Sequence, residues 1–72
     1  MSDSSIGIQL NGEAVRCPEG LNLLQLLEHL GYRPQLVVVE FNGTILPRQH
    51  WPEQPVREAD GLEVVTIVGG GS

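Results

Sequence analysis

Apolar and polar positions alternate from the start of the chain, with Ile6, Ile8 and Leu10 separated by Gly7 and Gln9. After Asn11-Gly12 the same period resumes, with Val15 and Cys17 alternating with Ala14 and Arg16. Successive side chains of a strand point to opposite faces, so each segment reads as a strand with one apolar side. Asn-Gly supplies the two positive-φ positions of a type I′ turn, and the two strands therefore form a hairpin. Pro18 has no N–H to donate and ends it.

The period then changes. Leu23, Leu26, Leu27 and Leu30 recur at helical spacing, while Glu28 and His29 fall on the other side. Asn22 is the expected N-cap, with Gln25 at the reciprocal capping-box position and Leu21 placed to pack on Leu26. The helix is expected over 23–30, with Gly31 as a left-handed C-cap. Two turns are not stable alone in water, so the leucine stripe must lie on a sheet.

Leu36 to Phe41 is short and β-branched, and a second Asn-Gly, Asn42-Gly43, turns it back into Thr44-Ile45-Leu46 before Pro47. Residues 47–60 contain three prolines and mixed charges and read as a loop with one short helical turn near His50 and Trp51. Asp60-Gly61 is expected to turn the chain into a last strand, Leu62 to Val68, which runs directly into Gly69-Gly70-Gly71-Ser72. Hairpin, helix, hairpin, loop and strand make an α+β domain of β-grasp type. A mixed sheet carries one main helix on one face, and the last strand lies centrally beside the first. The expected organisation is a single domain over 1–72, with flexible ends at 1–5 and 69–72.

Composition narrows the function. The chain has 72 residues, nine carboxylates against four arginines, no lysine and a formal charge of −5. The basic footprint for nucleic acid is missing, and so is the lysine of a phosphate loop or a Schiff base. No apolar run approaches the roughly 20 residues of a membrane span. Cys17 is the single cysteine, and with His29 and His50 it falls short of a zinc set; the absence of disulfides is permissive of a cytoplasmic location. No nucleophile elbow, dinucleotide motif or Walker loop is present. The chain reads as a non-enzyme without a bound cofactor.

Three consecutive glycines after a packed strand add nothing to a core. Their use is to be thin: a tail without Cβ atoms can thread a channel in another protein and place a carboxyl beside the α-phosphate of a nucleotide. The alternative reading is a flexible end or a cloning remnant. The run from Glu40 through Asn42-Gly43 and Pro47-Arg48 to Trp51, followed by Asp60 to Val65 and the Gly-Gly tail, resembles the sulfur carrier proteins of thiamin biosynthesis, the ThiS family. The resemblance covers Ile8 to Gly71. It implies a ubiquitin-like β-grasp carrier whose terminal glycine, Gly71, is adenylated by a ubiquitin-activating-type enzyme using ATP. That glycine then becomes a thiocarboxylate and passes sulfur to thiazole synthase, with Gly69 and Gly70 completing the tail. Ser72 departs from the family pattern, so it is removed before activation, is a cloning remnant, or marks an inactive form. Two other readings stand beside this one: a carrier like the small subunit of molybdopterin synthase, and a non-covalent interaction module using its sheet face.

Glu63 marks the solvent side of the last strand, and alternation places Val65 and Ile67 with it; Val38 follows Glu40 by the same rule. If these strands are neighbours, Val38, Val65 and Ile67 form an uncovered apolar patch opposite the helix, suited to partner docking or simply scattered surface valines. Trp51 is expected to cover a core edge and Arg48 to pair with a loop carboxylate, partner contact being the alternative for both. Cys17 reads as a compact apolar side chain rather than a nucleophile, and His29 and His50 as solvated groups.

Overall fold

The computed structural model describes residues 4–67. Two antiparallel strands, β1 (Ser5–Leu10) and β2 (Glu13–Pro18), are joined by a type I′ turn with Asn11 and Gly12 at φ 51° and 84°. Helix α1 (Leu23–His29) follows, then a 3₁₀ turn at Pro34–Leu36, strands β3 (Val37–Phe41) and β4 (Thr44–Ile45), a 3₁₀ segment at Arg48–Glu53 and strand β5 (Gly61–Thr66). The sheet order is β2-β1-β5-β3-β4, and β5 is central. It runs parallel to β1 and antiparallel to β3. This is the β-grasp arrangement, with one helix on one face of a mixed sheet.

Helix α1 is bounded at both ends by hydrogen bonds that its sequence encodes. The Gln25 N–H donates to the Asn22 side chain at 2.8 Å, and the Asn22 N–H donates to Gln25 Oε1 at 3.0 Å, closing the capping box. The helix stops at His29, one residue before the expected end, because Leu30 is the C-cap. Gly31 takes φ 92°, its N–H donates to the Glu28 carbonyl, and the Tyr32 N–H reaches back to Leu27 at 2.9 Å, forming a Schellman motif. Leu23, Leu26 and Leu27 are fully buried. Each such leucine contributes about 1.5–3 kcal/mol through burial, and this holds a two-turn helix that could not stand alone.

Ile8, Cys17, Val37, Val39, Leu62 and Val64 supply the sheet side of the core, and Trp51 and Val56 close it from the irregular segment. Trp51 is 1% exposed and its indole N–H donates to the Leu46 carbonyl at 2.9 Å, so the bulky ring is buried without an orphaned donor. The segment after it is tied to the start of the helix, with the Leu23 N–H donating to the Gln54 carbonyl and the Val56 N–H to that of Leu21.

Other local expectations also differ from what is found, among them the last strand, which spans Gly61–Thr66. Leu36 lies in the 3₁₀ turn that Pro34 initiates, and β3 begins one residue later. Leu46 falls just past β4, although its N–H still donates to the Val39 carbonyl. The turn into β5 pivots on Ala59, at φ 73°, and not on Asp60-Gly61. Asp60 serves as a local clasp: its carboxylate accepts from the Arg57 N–H at 2.7 Å and from Asn42 Nδ2 at 3.1 Å. Finally, Ser5, expected in the frayed N-terminal end, opens β1 opposite Pro18 and is held by Arg16 Nη2, 2.7 Å from its hydroxyl.

Candidate functional site

Strand β5 is the element that leads to the glycine run, so what fixes β5 fixes where that run begins. On one side it pairs with β3 from Val37–Thr66 to Phe41–Leu62. On the other, direct pairing with β1 is limited to Gln9–Gly61 and Leu10–Leu62. The two turn asparagines extend this hold. Asn42 Oδ1 accepts from the Gly61 N–H at 2.8 Å, and the Asn42 N–H donates to the Gly61 carbonyl at 2.7 Å. Asn11 Oδ1 accepts from the Val64 N–H at 2.7 Å while its Nδ2 donates to the Val64 carbonyl. Beyond Thr66, the Ile67 N–H donates to the Leu36 carbonyl at 2.6 Å, which keeps the end of the strand against β3. Gly69, Gly70 and Gly71, the residues assigned from sequence to the tail and its modification, lie outside the described residues, as do Val68 and Ser72.

The sheet face opposite α1 divides into two halves. Over β1 and β2 it presents Gln9, Ala14 and Arg16, all exposed. Over β5, β3 and β4 it carries exposed apolar side chains: Val38 is 40% exposed, Val65 61%, Ile67 48% and Ile45 65%. Val38 and Val65 stand directly opposite each other in the ladder, and their inward neighbours Val39 and Val64 are buried. Ile45 was not singled out by sequence. Its partner is Glu40, which puts it on the outward side, and the pairing of a two-residue strand is not visible from alternation.

Glu40 and Glu63 share this face and are paired across β3 and β5. With Val38, Ile45 and Val65 they line a shallow concavity of about 200 Å³. Arg48 does not find the loop carboxylate expected for it: among the described residues the only basic and acidic side chains within 4.0 Å of each other are His50 and Glu53, both well exposed. Arg48 borders instead a second hollow of about 320 Å³ with Val37, Val38, Ile45 and Trp51.

Cys17 is buried, and burial pushes its thiol above the ordinary cysteine value, with Arg16 opposing and Glu58 reinforcing the shift. A thiol held protonated in a core is a poor nucleophile. Among the described residues no three His, Cys, Asp or Glu side chains are grouped as metal ligands, and no helix is long and apolar enough to cross a membrane.

The ThiS family model matches residues 8–71. The chain belongs to the ThiS family. It is 38% identical over 71 residues to an uncharacterized protein, ycf40, of Porphyra purpurea, covering 99% of this chain and all of that one. It is 30% identical to the sulfur carrier protein ThiS of Escherichia coli strain K12, covering 89% of this chain and 97% of the relative. A thiazole synthase of Magnetococcus marinus is 39% identical over 64 residues, which are 89% of this chain but 20% of that protein. The crystal structure of the thiamine biosynthesis protein ThiS from Geobacter metallireducens superimposes with a TM-score of 0.78 at 29% identity, covering 92% of this chain and all of the other. The β-grasp fold read from the order of elements is thus also the fold of a solved member of the family.

Proposed function

We propose that this protein is a sulfur carrier of thiamin biosynthesis whose working group is the main-chain carboxyl of Gly71. The observation that carries the reading is the match to the ThiS family over residues 8–71, in a chain whose Gly-Gly-Gly run follows the central strand of the sheet. In this reading a ubiquitin-activating-type enzyme uses ATP to form an acyl-adenylate at Gly71, the carboxylate oxygen attacking the α-phosphate and releasing pyrophosphate. Sulfide-level sulfur from a donor then adds at the carbonyl carbon, the C–O bond to the phosphate breaks and AMP leaves, giving a thiocarboxylate. The protein is a co-substrate in this chemistry and binds no cofactor itself.

Gly71 comes four residues after Ile67, a span of at most roughly 14 Å, so in this reading the activating enzyme must approach close to the end of β5. Glycine contributes no side chain to block a narrow channel, and its carbonyl carbon is unhindered. Ser72 must be removed before Gly71 can be activated.

Thiazole synthase is the proposed recipient. A segment similar to this chain makes up one fifth of a thiazole synthase from Magnetococcus marinus, and two proteins that occur joined in one polypeptide are candidates to work side by side when separate. The outward apolar residues Val38, Val65 and Ile67, with Ile45 beside them, offer a docking surface continuous with the strand that bears the tail. The proposed site of action is the cytoplasm.

A genetic experiment tests the reading. Deletion of the gene should make growth of the source organism depend on added thiamin. The wild-type gene should restore independence, and a gene lacking the codons for Gly70 and Gly71 should not. Restoration by the truncated gene would contradict the proposal.

A further inference from the structure

Strand β5 is held from both sides over only part of its length. Its register with β1 ends at Leu10–Leu62, and the Asn11 amide extends the hold on that side to Val64. The backbone groups of Val64 are therefore turned away from β3, and the alternation along a strand turns those of Thr66 the same way, past the point where β1 has left. Among the described residues, the main chain beyond Val64 is held from the β3 side alone, and the last contact there is the Ile67 N–H on the Leu36 carbonyl at 2.6 Å. Leu36 is itself fixed. Its N–H donates to the Arg33 carbonyl, closing the 3₁₀ turn that Pro34 opens, and the Tyr32 N–H ties the approach to that turn to Leu27 of α1. Both side chains at the contact are nearly half exposed, Leu36 at 41% and Ile67 at 48%, so little burial reinforces the bond.

We infer that this bond is a positioning contact for the activation of Gly71: the Leu36 carbonyl fixes where the body of the domain ends and thereby sets how far the terminal carboxyl reaches. The inference rests on the carrier reading and adds the pair of residues that meters the tail. With Ile67 held, four residues carry the chain to Gly71, at most roughly 14 Å. The next residue back along β5 whose backbone groups face β3 is Val65, so opening the bond frees two more residues, roughly 7 Å. A longer, freer tail reaches a receiving site from a wider range of positions but loses more conformational freedom when it is threaded. The closed junction removes that freedom before binding, as preorganised contacts do. Leu36 and Ile67 touch no reacting atom in this account; they act through the position of Gly71.

Tail length separates this role from a structural one. Adenylation is followed by ATP–pyrophosphate exchange, with the chain ending at Gly71 and the adenylating enzyme of the same organism. Ile67→Pro removes the donor at the junction and should raise KM severalfold, with kcat within about twofold of wild type. Deleting Gly69 shortens the tail by one residue and should lower kcat/KM roughly tenfold or more. Combined with that deletion, Ile67→Pro should recover much of the lost activity, whereas the loss of a merely structural bond would add to the damage. Ile67→Ala keeps the N–H and should give no recovery. An ester in place of the Ile67 amide, introduced by chemical ligation, removes the donor without a proline ring and should act as Ile67→Pro does, even if that variant fails to fold. A combined variant no faster than the Gly69 deletion, equal recovery with Ile67→Ala, or full activity of the Gly69 deletion overturns the inference alone. Failure of the wild-type chain to be adenylated by an enzyme active on another carrier overturns the carrier reading and the inference with it.

Discussion

The side-chain amide of Asn11 is bonded at both ends to the backbone of Val64, accepting from its N–H at 2.7 Å and donating to its carbonyl at 3.3 Å. The amide takes the place of the next peptide unit of β1, at the point where the hairpin carries that strand away from β5. The direct parallel ladder ends at Leu10–Leu62, yet β5 is held on this side two residues further, close to its end at Thr66. One asparagine therefore does two jobs. Its φ of 51° makes the turn, and its side chain anchors the strand that carries the tail.

The two jobs can be pulled apart. Asn11→Gly keeps the turn geometry and loses only the clip, with a cost of about 1–2 kcal/mol in urea unfolding. Asn11→Ala loses both, because a side chain without the amide gains nothing from a left-handed backbone, and should cost about 1 kcal/mol more. Equal stability of wild type and Asn11→Gly would show that the clip adds no net stability. Amide exchange at Val64 should rise in both variants.

Trp51 provides a second check on the core. The ring is buried and its N–H is satisfied by the Leu46 carbonyl, so Trp51→Phe removes a donor and leaves a partly buried acceptor while nearly filling the space. A loss of about 1–3 kcal/mol is expected, against about 3–5 kcal/mol for Trp51→Ala. Because so small a domain holds little reserve, the alanine variant should be largely unfolded at room temperature, visible in far-ultraviolet circular dichroism.

Much of this was readable from residue types whose effect is local. Asn-Gly fixed both hairpins because few other pairs accept two positive φ angles, and Asn22, Gln25 and Gly31 fixed the helix ends through short-range hydrogen bonds. Alternation assigned Val38 and Val65 to the outward side because burial in a strand has period two. What escaped is non-local. The pairing of the Asn11 amide with Val64, 53 residues away, leaves no trace in the sequence around either one. The opposition of Glu40 to Glu63 depends on register between strands that are not adjacent in the chain. The turn expected at Asp60-Gly61 pivots on Ala59, whose N–H donates to the Gly7 carbonyl at 2.7 Å, a contact to a residue far away in the chain.

The Cys17 thiol gives a prediction in pH. Burial raises its folded-state value above the 9.0 of an unperturbed cysteine, so the folded protein prefers the protonated form. Its contribution to stability is fully present below the unfolded value and is lost as pH rises through the folded one. Denaturant unfolding should show stability falling above about pH 9 in the wild type. This component should be absent in Cys17→Ala, which will be less stable at neutral pH. Iodoacetamide should label Cys17 slowly in the native protein and rapidly in denaturant; fast native labelling would contradict an inert, buried thiol.

The most direct test of the carrier account is the intact mass of the protein after reaction. The chain ending at Gly71 is incubated with its adenylating enzyme, ATP and a sulfur donor, and the C-terminal fragment is then sequenced by tandem mass spectrometry. The account predicts that one oxygen is exchanged for sulfur, that the exchange lies on Gly71, and that omitting ATP prevents it. An unchanged mass with an enzyme demonstrably active on another carrier, or sulfur found on Cys17 instead, would contradict it.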